Sequence, residues 1–137
     1  MHPHHPENLD LVRSFCADWE RGDFTSMEWA HPDIEYVVVD FVEPMSRVGR
    51  AATSEAIKLI LSDWEKPRIE VDEIRRLDDG RVLVLNHLAA VGKATGIDVG
   101  AMHHDGAAVL SFRDGLVARY LSYWKRDRAL ADLGLAE

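Results

Sequence analysis

The stretch VLSFRDGLVARYLSYW, residues 109–124, decides the fold. Two apolar runs flank the tight turn RDG, 113–115, so the stretch reads as a β-hairpin. Working back along the chain, IDVGAMHHDGAAVLSF, 97–112, reads as one long strand with bends at Gly100 and Gly106. GKATG, 92–96, is the turn before it. RVLVLNHLAAV, 81–91, is apolar nearly throughout, as a strand covered on both faces would be. RIEVDEIRRL, 68–77, alternates and ends at the turn DDG, 78–80. The first half has another period. Leu9, Val12, Phe15, Cys16 and Trp19 recur at helical spacing over 8–21, and Gly22 ends that run. A short helix is expected over 23–30, a strand over HPDIEYVVVD, 31–40, and a connection over 41–51. A second long helix is expected from Thr53 to Glu65, capped by Thr53 or Ser54 and stopped by Pro67. DRALADLGL, 127–135, closes the chain as a short helix or turn. Helices first and an antiparallel meander after them make an α+β pattern. A long helix laid across a strongly curved sheet leaves a cone with a cavity inside.

Bulk properties narrow the function. The 137 residues suit one domain, over 8–137, with residues 1–7 as a tail that carries His2, His4 and His5. The formal net charge of −8, without a basic cluster, argues against a nucleic-acid partner. No apolar run approaches the roughly 20 residues of a membrane span, and MHPHHPEN has no hydrophobic leader segment. The single cysteine, Cys16, allows no internal disulfide. A cytoplasmic protein with no membrane partner is expected.

The ordered series of segments resembles the nuclear transport factor two-like superfamily, and within it the SnoaL-like and ketosteroid-isomerase-like proteins. The resemblance is carried by FCADWERGDF (15–24), HPDIEY (31–36), VGRAATSEAI (48–57) and the final hairpin with its closing segment (109–135). It implies a conical α+β half-barrel, usually a homodimer through the sheet. It implies no single activity, because this scaffold hosts isomerases, cyclases, hydrolases, dehydratases and plain binding modules.

Carried over by position, Asp40 falls where the ketosteroid isomerases keep their catalytic base, with Phe41 in place of the following proline. Their two enolate donors are replaced by Phe15 and Ala108. Losing one such donor typically costs on the order of a hundredfold in rate. A steroid isomerase of the usual kind is therefore not expected.

Other residues are candidates for the missing donors. With Ala94–Thr95 as the loop, His87 pairs with Met102 and Leu85 with His104, which puts His87 and His104 on the face of Ala108. A slip of one residue reverses that face. Asp40 reads either as a poorly hydrated carboxylate facing the cavity or as a solvated loop residue, and His87 and His104 either as donors or as core histidines. Phe15, Trp19, Tyr36, Val38, Trp64, Met102, Ala108, Leu110 and Trp124 are the expected cavity wall. In HHD, 103–105, neighbouring strand residues face opposite sides, so no metal site is read there. No phosphate-binding loop is present, and no cofactor is expected. The chain is read as a protein for a small hydrophobic molecule. It either catalyses proton transfer on a carbonyl compound, with Asp40 as base and His87 or His104 as acid, or binds such a molecule without catalysis. A homodimer is expected in both cases, because the second face of strand 81–91 needs cover.

Overall fold

The computed structural model describes residues 6–40, 45–62, 64–92 and 105–135. In chain order the elements are α1 (Pro6–Glu20), β1 (Ala30–Val38), β2 (Met45–Val48), α2 (Arg50–Leu61), β3 (Trp64–Arg76), β4 (Val82–Gly92), β5 (Asp105–Arg113), β6 (Leu116–Tyr123) and α3 (Arg126–Asp132). The six described strands form one curved, open sheet in the order β2-β1-β6-β5-β4-β3. The meander β3 to β6 is antiparallel as expected, while β1 joins it by pairing parallel to β6. The RDG turn closes the β5–β6 hairpin, with Arg113 paired to Leu116. Its central residues Asp114 (φ 56°) and Gly115 (φ 78°) both take the left-handed conformation that matches strand twist in a two-residue turn.

Four local expectations are corrected. Residues 23–27 form no helix. The Asp23 carboxylate accepts the Thr25 N–H (3.1 Å) and hydroxyl (2.7 Å), and this local bonding competes with helical pairing. Within the stretch expected to be a plain connection, β2 pairs antiparallel with β1. The long helix starts at Arg50 and ends at Leu61, and Thr53 is a buried interior residue rather than its cap. Pro67 lies inside β3, at the irregularity between Glu65 and Arg68, where a missing N–H is tolerated.

The two faces of the sheet build two cores. Inward-facing Val82, Val84, Leu88, Ala108, Leu110 and Tyr120 pack with Val12, Phe15 and Trp19 of α1 and Ala56, Ile57 and Leu61 of α2. Phe15 stacks on Trp29 at 4.4 Å between ring centroids, and Trp19 meets Trp29 edge-on at 5.7 Å. Each fully buried side chain of this kind contributes about 1.5–3 kcal/mol. Outward-facing Leu83, Leu85, Ala107, Val109 and Tyr123 pack with Ala129 and Leu130 of α3. The second sheet face, expected to need a partner's sheet, is thus covered in part by the chain's own last helix. Among the described residues, no helix is long and apolar enough to cross a membrane.

Candidate functional site

Between the inner sheet face and the two long helices lies a cavity of about 70 Å³. Its apolar lining comes from Trp19 of α1, Ile57, Ile60 and Leu61 of α2, Ile69 of β3, Leu88 of β4 and Trp124 after β6. Deeper in, a lobe of about 10 Å³ is lined by Phe15, Cys16, Val71, Val84, Ala108 and Leu110. Both share Trp19, Ile69, Asn86 and Tyr120, which makes them the outer and inner ends of one space. A water needs roughly 10–15 Å³ by this kind of measure. The larger space therefore takes on the order of six small groups, about one ring.

The polar groups of the lining are neutral. Asn86 interrupts an apolar strand at the inward parity of Val84 and Leu88, so its amide faces the cavity. Gly106 sits opposite it in the β4–β5 pairing. A Cβ on Gly106 would stand 2.7 Å from the Tyr123 carbonyl oxygen and 3.2 Å from Asn86 Oδ1, so only glycine leaves room for both. Tyr36 and Tyr120 pair in register, with ring centroids 5.2 Å apart. Burial pushes the Tyr36 hydroxyl up to about 12, against a weaker downward pull from its hydrogen bond with Ser122. Tyr120 is pushed well above the ordinary phenol value by burial first, then by the neighbouring Tyr36 and Cys16. The Cys16 thiol is raised to about 12 by burial and by Glu20, which leaves it protonated and inert. Among the described residues, no carboxylate, imidazole, ammonium or guanidinium lines the cavity.

These phenols give the first testable expectation. A phenol whose folded pKa exceeds its unfolded value of about 10 adds stability that is intact below pH 10. That stability is lost as pH rises from the unfolded toward the folded value. For Tyr36, raised from 10.0 to about 12, the loss amounts to about 3 kcal/mol. Burial and the Asp132 carboxylate also raise Tyr123, the third tyrosine of the chain. Phenolate absorbance near 295 nm should therefore stay low in the native protein at pH 10, and the share of Tyr36 and Tyr120 should appear only with alkaline unfolding. Half-ionisation at pH 10 with native circular dichroism would contradict this.

The residues singled out in the sequence divide into groups. Trp19, Tyr36 and Trp124 line the outer space, and Phe15, Ala108 and Leu110 the inner lobe. Val38 is fully buried in the inner core without reaching the cavity. His104 and Met102, with the GKATG turn from Lys93 on and the side chain of Trp64, lie outside the described residues.

Asp40 is half-buried, just beyond the end of β1, and is not part of the lining. Its Oδ1 accepts the Trp124 N–H at 2.7 Å and its Oδ2 the Lys125 N–H at 3.0 Å. The carboxylate thus holds the cavity wall residue Trp124 and the start of α3. That start has no side-chain cap of its own.

His87 is corrected in position. It pairs with Asp105, not Met102, and this shift of three residues turns it to the outer face, away from Ala108. There its Nδ1 faces Asp72 (3.0 Å) and its Nε2 faces Glu70 (3.0 Å). Burial pulls its pKa down, but the hydrogen bonds and charges of the two carboxylates outweigh this and raise it overall.

Three solved structures share this architecture. An NTF2-like protein of Burkholderia pseudomallei superposes with a TM-score of 0.73 at 15% identity, covering 93% of this chain and 97% of its own. A SnoaL-like protein of Jannaschia sp. CCS1, assigned as a polyketide cyclase, gives 0.71 at 11% identity, with 89% and 88% covered. The chain has an NTF2-like fold. TerC, crystallised with polyporic acid, superposes with a TM-score of 0.71 at 19% identity, over 93% of this chain and 97% of its own. Neither a family model nor a curated protein matches the sequence. At these identities the SnoaL-like likeness fixes the fold alone.

Sequence reading missed Asn86, Ser122, Tyr120 and the α2 residues of the lining. A usable signal existed for two of them: Asn86 and Ser122 are polar residues at inward parity inside otherwise apolar strands.

Proposed function

We propose that the cavity binds a small, neutral, ring-bearing compound through one hydrogen-bonding oxygen. Binding, rather than proton abstraction by Asp40, is the activity the described residues support best. One observation carries this reading: an apolar, aromatic-walled cavity whose polar groups, Asn86, Ser122, Tyr36 and Tyr120, are all uncharged. The amide and hydroxyls can donate to a carbonyl or phenolic oxygen. A charged ligand would lose its hydration there without gaining a counter-charge, which costs several kcal/mol. The base reading of Asp40 is disfavoured because both its oxygens already accept backbone N–H groups. The assignment of one structural relative as a polyketide cyclase agrees with a ring compound in class only.

A matched pair of probes tests the reading. Acetophenone and benzoate have similar size and differ in charge at pH 8. Acetophenone should bind and change the emission of Trp19 and Trp124, which line the cavity. Benzoate should bind at least ~10-fold more weakly, since several kcal/mol of desolvation oppose it. Preference for benzoate would contradict the proposal. Exchange of the acetophenone methyl protons in D2O, lost in Asp40→Asn at unchanged affinity, would instead establish proton transfer by Asp40.

A further inference from the structure

The outer face of the sheet carries a second polar assembly, separate from the cavity. Glu70, His87 and Asp105 form a row across β3, β4 and β5, with Glu70 paired to His87 and His87 to Asp105. Between Val71 and Glu73 the β3 register shifts, and the extra residue in that bulge is Asp72. Bulges re-aim side chains in this way. The shift brings both Asp72 oxygens to His87 Nδ1, at 3.0 and 3.1 Å. A nitrogen or oxygen atom of each of Asp72, His87 and Asp105 lies within 4.8 Å of the others.

The arrangement around the imidazole is specific. A neutral imidazole has one N–H and one lone pair. Here each ring nitrogen faces a carboxylate at 3.0 Å. If Nε2–H donates to Glu70, the Nδ1 lone pair points at the oxygens of Asp72. Two electron-rich groups at that distance need something positive between them, a proton or a metal ion. A carboxylate on the far nitrogen is also the usual partner that orients a metal-binding histidine. Arg126 completes the frame. Its guanidinium donates to Asp72 Oδ2 (2.8 Å) and to the carbonyl oxygens of Asn86 (2.9 Å) and Gly106 (3.3 Å). It therefore fixes the Asp72 carboxylate by one oxygen and leaves Oδ1 toward His87.

We propose that His87 Nδ1, Asp72 Oδ1 and the Asp105 carboxylate bind a divalent transition-metal ion of the zinc type, with Glu70 as the orienting partner of His87. One imidazole and two carboxylates suit Zn²⁺, Mn²⁺ or Co²⁺. Asp72 and Asp105 are exposed, so water can reach the cluster. No metal was read from HHD because adjacent strand residues diverge. The cluster instead uses neighbours on different strands, which linear spacing does not reveal.

The test uses the full chain with His2, His4 and His5 changed to alanine, which removes the tail histidines as competing ligands. After chelator treatment, Zn²⁺ titration by calorimetry should give one ion per chain. Co²⁺ should give visible absorption bands of a protein-bound ion. Both Asp105→Asn and His87→Gln should weaken Zn²⁺ binding at least ~10-fold, and Glu70→Gln about 10- to 100-fold, as outer-partner losses do. Asp105 is exposed, so its variant keeps the test valid even where His87→Gln folds poorly. No saturable binding, or binding unchanged in Asp105→Asn, would overturn the site.

Discussion

Replacement of Asp40 by alanine is expected to cost about 2–4 kcal/mol of folding stability. The carboxylate accepts two backbone N–H groups, from Trp124 at 2.7 Å and Lys125 at 3.0 Å. Hydrogen bonds to a charged acceptor contribute about 1.5–3 kcal/mol each. Water regains part of that at the exposed Lys125 N–H, and less at the part-buried Trp124 N–H. Asparagine keeps one carbonyl acceptor but sets its amide N–H₂ against the other N–H, so Asp40→Asn should lose roughly half as much. Urea melts of the three proteins measure this order. Amide exchange at Trp124 and Lys125 should accelerate in the alanine variant before exchange elsewhere does. Ligand affinity should fall with it, because Trp124 is a cavity wall. An unpaired carboxylate inside the cavity would behave oppositely, since its removal would leave stability unchanged or raise it.

Leu110→Ala is expected to lose about 3 kcal/mol, within the 2–5 kcal/mol typical of such truncations in a packed core. Leu110 is fully buried on β5, paired with Val82 on one side and Tyr120 on the other. Its side chain closes the inner lobe of about 10 Å³. Truncation enlarges that lobe, and close-packed neighbours recover only part of the loss. The variant should therefore accept larger compounds, with a two-ring ketone raising its melting temperature more than the parent's. Thermal melts with and without such a ketone report both effects. A loss under 1 kcal/mol without any change in ligand size would mean that the inner lobe is not part of the binding space.

Much of the fold is written in short-range signals. RDG marks a hairpin because Asp114 and Gly115 can both adopt positive φ. Helical periodicity in Leu9, Val12, Phe15 and Trp19 survives as α1 because that stripe faces the inner sheet surface. The helix expected over 23–30 does not form at 23–27, where the Asp23 carboxylate bonds the Thr25 N–H and hydroxyl locally. The site was less legible for a different reason. Which face a strand residue takes depends on register, and register between β4 and β5 is set by long-range packing, not by composition. Pairing His87 with Asp105 instead of Met102 separates it from Ala108 and moves it from cavity to outer face. Asp40 shows the same limit. A strand expected to reach Asp40 would have set its facing by alternation, but β1 ends at Val38 and the chain beyond it is free of that alternation.

In the proposed complex a neutral ring compound sits between Asn86, Ser122 and the aromatic wall. Backbone and side-chain amide NMR with acetophenone reports this placement residue by residue. Saturable shifts are expected at the Asn86 side-chain amide and at the backbone of Gly106, Ala107, Ser122 and Tyr123, all of which line the cavity. Glu70, Asp72 and Arg126 on the outer face should stay still. Shifts confined to that outer face, or none at millimolar ligand, would contradict it.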